Sequence, residues 1–222
     1  MDKKLDLGFC NLIYSNNEDL CFEKENITKA YNLNKEFFKI EIPKFDIVLV
    51  YTRKKFDEIW GSETSDHASA FAKDDKIVIF SYSVIDKETC WGKEGYYEAL
   101  VHEINHLFYQ ELRDDEYDPL WLSEGLATFM QHGKKKFNYN DKLILTKKNL
   151  TCSFEDMTVE SYQIFTMFVE YLLLEFGEKK ILEFIDGLKN NQNLNGLFQK
   201  IYNYSFEKLI ENGNRYYKTA WS

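Results

Sequence analysis

Tyr96-Tyr97-Glu98-Ala99-Leu100-Val101-His102-Glu103-Ile104-Asn105-His106-Leu107-Phe108 decides how the rest of the chain is read. Tyr96, Ala99, Leu100, Ile104, Leu107 and Phe108 recur at helical spacing, so a helix with one apolar face is expected across Lys93–Leu112. On such a helix His102 and His106 project from one face, one turn apart. Upstream, the pattern changes. Phe45-Asp46-Ile47-Val48-Leu49-Val50-Tyr51 is short, rich in β-branched residues and preceded by Pro43, which predicts a buried strand. His67–Phe71 and Lys76–Tyr82 predict two more strands, with a turn at Asp74-Asp75. An amphipathic helix is expected over residues 20–40 and a short capped one from Thr52 to Trp60, ending at Gly61. Downstream, helices are expected at 121–132, 160–176, 178–189, 194–203 and 205–219, with Gly177 as a stop. The fold class is therefore α+β. An N-terminal subdomain, 1–92, with a twisted mixed sheet and helices precedes an all-helical subdomain, 93–222, in one compact unit.

Composition narrows the function. The chain has 222 residues, with 28 Lys and Arg against 37 Asp and Glu, a net charge of −9. With a pI near 5.1, nucleic acid is not expected as a partner, because phosphate binding needs a basic face. No stretch approaches the roughly 20 apolar residues of a membrane-spanning helix, and no membrane partner is expected. Met1–Cys10 lacks the apolar core of a secretory signal. Cys10, Cys21, Cys90 and Cys152 are scattered without a C-x-x-C pair, which points to reduced thiols in a cytoplasm. The triplet Lys134-Lys135-Lys136 and the acidic run 114–118 read as a helix end and a bridge between helices.

Chemistry concentrates in His102-Glu103-Ile104-Asn105-His106, the H-E-x-x-H pattern of zinc hydrolases. Two imidazoles one turn apart can reach one metal ion. Glu103 falls beside the open coordination position, where it can take a proton from zinc-bound water and later hand it to a leaving amine. A catalytic zinc needs a third protein ligand. Glu124, in Trp121-Leu122-Ser123-Glu124-Gly125-Leu126-Ala127, lies 18 positions after His106, enough for a loop and a returning helix. Small Gly125 would let that helix approach a neighbour closely. His132, eight residues further on, is the alternative third ligand.

Together these two segments resemble the gluzincin branch of zincin metallopeptidases, and most nearly the small bacterial peptidase MA-like domains with H-E-x-x-H followed by W-L-x-E-G-x-A. Tyr162, Phe168–Leu172, Phe176–Leu182 and Ser205–Trp221 are similar to that family's later helices, and the strands in 67–82 to the sheet edge before its motif helix. The resemblance spans about residues 45–221. It implies one zinc ion per chain, held by His102, His106 and Glu124 in a cleft between the two subdomains. It also implies Glu103 as general base and acid, and a tyrosine that stabilises the oxyanion, which Tyr162 matches by position.

No G-x-M-E-N segment stands upstream, the element that aminopeptidases of this group use for a free amino terminus. An endo- or oligopeptidase acting on peptides or unfolded segments is therefore expected. The strand His67–Phe71 could pair with an extended substrate, and His67 could line the cleft. Glu98 and Thr128 are candidates for orienting the histidines. Two other readings share the scaffold: a peptide-binding or regulatory module with little turnover, and hydrolysis of a non-peptide amide.

Overall fold

The computed structural model describes residues 2–73, 75–113, 118–133, 139, 142–189 and 193–220. Asp74, most of the acidic run and the Lys134–Lys136 triplet lie outside the described residues, as does Trp221. The structure is α+β and divides into two compact units, residues 1–108 and 109–222.

The first unit is built on five strands: β1 (Lys3–Asp6), β2 (Cys10–Tyr14), β3 (Phe45–Val50), β4 (Ala70–Lys73) and β5 (Lys76–Phe80). Their order across the sheet is β1-β2-β3-β5-β4. The pairs β2–β3 and β3–β5 are parallel, and the outer pairs β1–β2 and β4–β5 are antiparallel. Strand β3 is flanked by parallel neighbours, and this is why Phe45-Asp46-Ile47-Val48-Leu49-Val50 is nearly continuous in apolar residues rather than alternating. Helix α1 (Leu20–Phe38) makes the crossover from β2 to β3, as a parallel connection requires. Helix α2 (Arg53–Trp60) follows β3. Its Thr52 cap accepts from the Lys55 amide, and it stops at Gly61, whose φ of 103° suits glycine best. A short helix α3 (Ile85–Glu88) leads to α4 (Gly95–Arg113), which carries the two histidines and runs from residues of the first unit into those of the second.

Two features correct the sequence reading. The strand expected at His67–Phe71 begins at Ala70, and Asp66 and His67 form a turn. Arg53 holds this segment in loop form by donating to Thr64 Oγ1 and to the Ala68 carbonyl, both at 2.9 Å. The antiparallel pair β1–β2 was not anticipated. Its outer strand is four residues of Lys-Lys-Leu-Asp, three of them exposed, so no buried alternation marks it.

The second unit is helical: α5 (Leu120–His132), α6 (Lys147–Leu150), α7 (Val159–Phe176), α8 (Glu178–Leu188), α9 (Leu194–Tyr202) and α10 (Phe206–Ala220), with a 3-10 turn at Phe154–Asp156. Its core forms around Trp121, which is fully buried with its ring 4.9 Å from Phe168 and 6.1 Å from both Phe184 and Phe198. The aromatic wealth of the sequence is used here, since such rings bury much area and interlock edge to face.

Within the first unit α1 is held by buried polar contacts. Glu23 is fully buried, and its carboxylate accepts from Ser81 Oγ and the Tyr82 amide, both at 2.8 Å, and from the Tyr96 hydroxyl. Burial raises its pKa above the ordinary 4.5, although these three hydrogen bonds oppose the shift. Folded Glu23 therefore binds a proton more readily than unfolded Glu23. The stabilisation linked to that proton is full below about pH 4.5 and is lost as pH rises through the raised folded value. Glu23→Ala removes the shared acceptor of Ser81 Oγ, the Tyr82 amide and the buried Tyr96 hydroxyl and is expected to cost about 3 kcal/mol in urea unfolding. Glu23→Gln keeps the shape and should flatten this part of the stability–pH profile. An unchanged profile would show that Glu23 does not titrate on unfolding.

Candidate metal centre

Helix α4 positions the histidines by its rotation about its own axis. Val101, Ile104, Leu107 and Phe108 are buried, whereas His102 and Glu103 are half-buried. Tyr31 and Phe38 of α1 meet Phe108 with ring centroids at 5.4 and 5.6 Å. A polar lock accompanies this apolar contact. Asn34, fully buried on α1, donates to the carbonyls of Ala30 at 3.0 Å and Val101 at 3.1 Å. Its side-chain oxygen accepts from Asn105 Nδ2 at 2.8 Å. Donors buried this deeply are costly unless paired, so α4 is held in the rotation that gives the Asn34 and Asn105 amide groups their acceptors.

With Asn105 turned to α1, His102 and His106 share another face. Their Nε2 atoms stand 3.1 Å apart, with the rings edge to face at 81°. Two nitrogens bound to one tetrahedral zinc at about 2.0–2.1 Å would stand roughly 3.3 Å apart. The observed separation suits a shared ion. His106 is buried, with 5% of its surface exposed.

Asp118, just before α5, is gripped by the end of α4. Tyr109 Oη and Arg113 Nη2 donate to the Asp118 carbonyl, at 3.3 and 3.2 Å, immediately before α5. Nine of the 13 residues of α5 are buried, including Glu124 and Thr128. Glu124 is only 7% exposed, an expensive setting for a carboxylate unless a cation or donors compensate it. Its neighbour Gly125 lies against α7: a Cβ there would stand 2.7 Å from the Phe165 carbonyl oxygen and 2.9 Å from a Val169 methyl. His102, His106 and Glu124 each offer a ligand atom, and these atoms lie within 4.8 Å of one another.

The other sequence candidates are placed as follows. Tyr162 is half-buried in the first turn of α7, three residues before Phe165, and its carbonyl accepts from Thr166 Oγ1 at 2.7 Å. His132 closes α5. It is eight residues, or about 12 Å of helix rise, beyond Glu124, and is not one of the three grouped ligands. Glu98 is half-buried on α4. His67 is exposed in its loop, with Nδ1 3.1 Å from Cys90 Sγ.

Sequence reading missed the Asn34–Asn105 lock and the partnership of His67 with Cys90. For Asn34 a signal was present. It falls on the helical stripe Ile27, Ala30, Tyr31, Asn34, Phe38, where a polar residue must be buried with a partner. No family model matches the chain, and no curated protein matches it.

Gly125→Ala forces the Phe165 backbone and Val169 away from α5. It is expected to cost about 2 kcal/mol. Urea unfolding checks the effect. An unchanged urea midpoint would show that this helix contact relaxes freely.

Proposed function

We propose that the protein is a zinc-dependent metallopeptidase of the zincin type, a hydrolase that cuts internal bonds of peptides or unfolded segments. The observation that carries the proposal is the convergence of two imidazoles and one carboxylate, with ligand atoms within 4.8 Å, around an H-E-x-x-H helix. Two neutral imidazoles and a carboxylate form a donor set suited to zinc, and three protein ligands leave a position for water or substrate. When bound, zinc supplies Lewis acidity, polarising a carbonyl oxygen and making water more acidic.

The remaining roles fall to the chain's own residues. His102, His106 and Glu124 hold the ion, and the buried Glu124 carboxylate offsets part of its charge. Glu103 follows His102 on α4 and is half-buried. It accepts a proton from the attacking water on its carboxylate and returns it to the amide nitrogen as the C–N bond breaks. Tyr162 stands one turn before the point where α7 meets Gly125, the neighbour of Glu124. Its hydroxyl donates to the developing oxyanion in this reading. Strand β4 is an edge of the sheet, and its outer side can take an extended peptide as a further strand. The four free thiols fit a reducing compartment such as the cytoplasm.

Glu103→Gln should retain zinc while cleavage of a peptide library falls by about 10²–10⁴-fold. His102→Ala should lose the metal. Cleavage by Glu103→Gln at the wild-type rate would remove Glu103 as the base. Tight peptide binding by the zinc-loaded wild type without products would identify a binding module instead.

A further inference from the structure

The first unit contains a second group of metal-ligating side chains, chemically unlike the first. Asp66, His67 and Cys90 are all exposed, and each offers a ligand atom within 4.8 Å of the others. Cys90 Sγ lies 3.1 Å from His67 Nδ1, the ring nitrogen through which the two would share an ion. Sulfur and nitrogen bound to one tetrahedral zinc, at about 2.3 and 2.0–2.1 Å, would stand roughly 3.5 Å apart. An opening of a few tenths of an ångström admits the ion.

The two loops carrying these groups are fastened to each other. The Cys90 amide donates to the Asp66 carbonyl at 3.0 Å, and the Trp91 indole donates to the His67 carbonyl at 2.5 Å. Arg53 joins the same segments by donating to the carbonyls of Ala68 and Glu88. Its guanidinium is itself seated over the Phe80 ring, 4.6 Å from the centroid. The backbone carrying the ligands is thus largely arranged before any ion arrives, which lowers the ordering cost of binding.

We propose that Asp66, His67 and Cys90 form a second, solvent-open site for a thiophilic divalent transition metal such as zinc, separate from the His102–His106–Glu124 group. A thiolate with an imidazole selects for zinc, cobalt or copper over magnesium and calcium, which prefer all-oxygen ligands. As the sulfur–metal bond forms, the thiol proton passes to solvent, so loading strengthens with pH. Solvent completes the coordination, and the ion exchanges readily. The site requires no turnover and does not rest on the peptidase reading.

Cobalt(II) distinguishes the two sites, because only the second contains sulfur. The full-length, reduced, metal-free protein is titrated with cobalt under anaerobic conditions and followed by absorption. The expected result is an intense near-ultraviolet thiolate-to-cobalt charge-transfer band, abolished in Cys90→Ser, at least tenfold weaker in cobalt affinity in His67→Ala, and unchanged in His102→Ala and Cys152→Ser. Loss of the weaker visible ligand-field bands in His102→Ala reports the other group independently. A wild-type protein without the charge-transfer band, or a band that survives Cys90→Ser, overturns the proposal. Circular dichroism of Cys90→Ser and His67→Ala confirms that the exposed substitutions leave the fold intact.

Discussion

The orientation of helix α4 depends on one buried amide, Asn34. Apolar packing alone holds a helix against its neighbour with tolerance for small rotations, because methyl and ring surfaces can slide. An amide that must place two donors and one acceptor has no such freedom. Asn34 reads the carbonyl of Val101, one residue before His102, and the side chain of Asn105, one residue before His106. Both contacts lie beside the histidines in sequence and about 100° away on the helix. The imidazoles are turned to their common face because the residues preceding them are turned to α1. A rotation that moved the rings would break a buried pair, and the cost of an orphaned buried polar group is about 1–3 kcal/mol. The two unnamed positions of the motif thus serve the fold: Ile104 enters the core, and Asn105 fixes the angle.

Glu124 is held by the opposite strategy. Helix α5 is buried around most of its circumference, and its position follows from shape. Trp121 fills the aromatic core one turn before Glu124, while Gly125 lets α7 approach until Phe165 and Val169 occupy the space a side chain would need. A carboxylate in such surroundings is costly unless a cation or hydrogen-bond donors compensate it. The sequence therefore places its most restrictive choices, the largest side chain and the smallest, around the one carboxylate of a mostly buried helix.

How much of this was legible follows from the kind of signal each feature leaves. The α+β order, β3, β5 and helices α4, α5 and α7 to α10 were legible because buried strands and amphipathic helices write their periods into the apolar residues, whereas the single turn α6 was too short to leave a period. Strand β1 was not: it is short, polar and at an edge, so no burial pattern could record it. The start of β4 was misplaced because Ala68, Ser69 and Ala70 are compatible with either strand or loop. The choice is made by Arg53, 15 residues before the Ala68 carbonyl it binds. For the candidate site, helical spacing made the facing of His102 and His106 readable, since four residues on one helix is a local relation. The Asn34 lock spans 71 residues to Asn105 and the Cys90–His67 contact spans 23. Pairings at that range depend on the tertiary fold, and one sequence contains no periodicity that encodes them.

The two ligand groups also differ in what each can select. His102 and His106 are separated by one helical turn and their helix is locked in rotation, so in the proposed reading the spacing of their nitrogens is largely set before any metal would bind. Such a site discriminates by geometry, and poorly fitting ions meet a scaffold that cannot adapt without breaking buried contacts. Asp66, His67 and Cys90 stand on surface loops whose backbones are tied while the side chains remain exposed. There, discrimination rests on donor softness, chiefly the affinity of a thiolate for thiophilic ions, and the cost of fixing the side chains is met at each binding event. Rigidity without sulfur favours a resident ion with an open position for chemistry. Sulfur without rigidity favours an ion that comes and goes with its concentration.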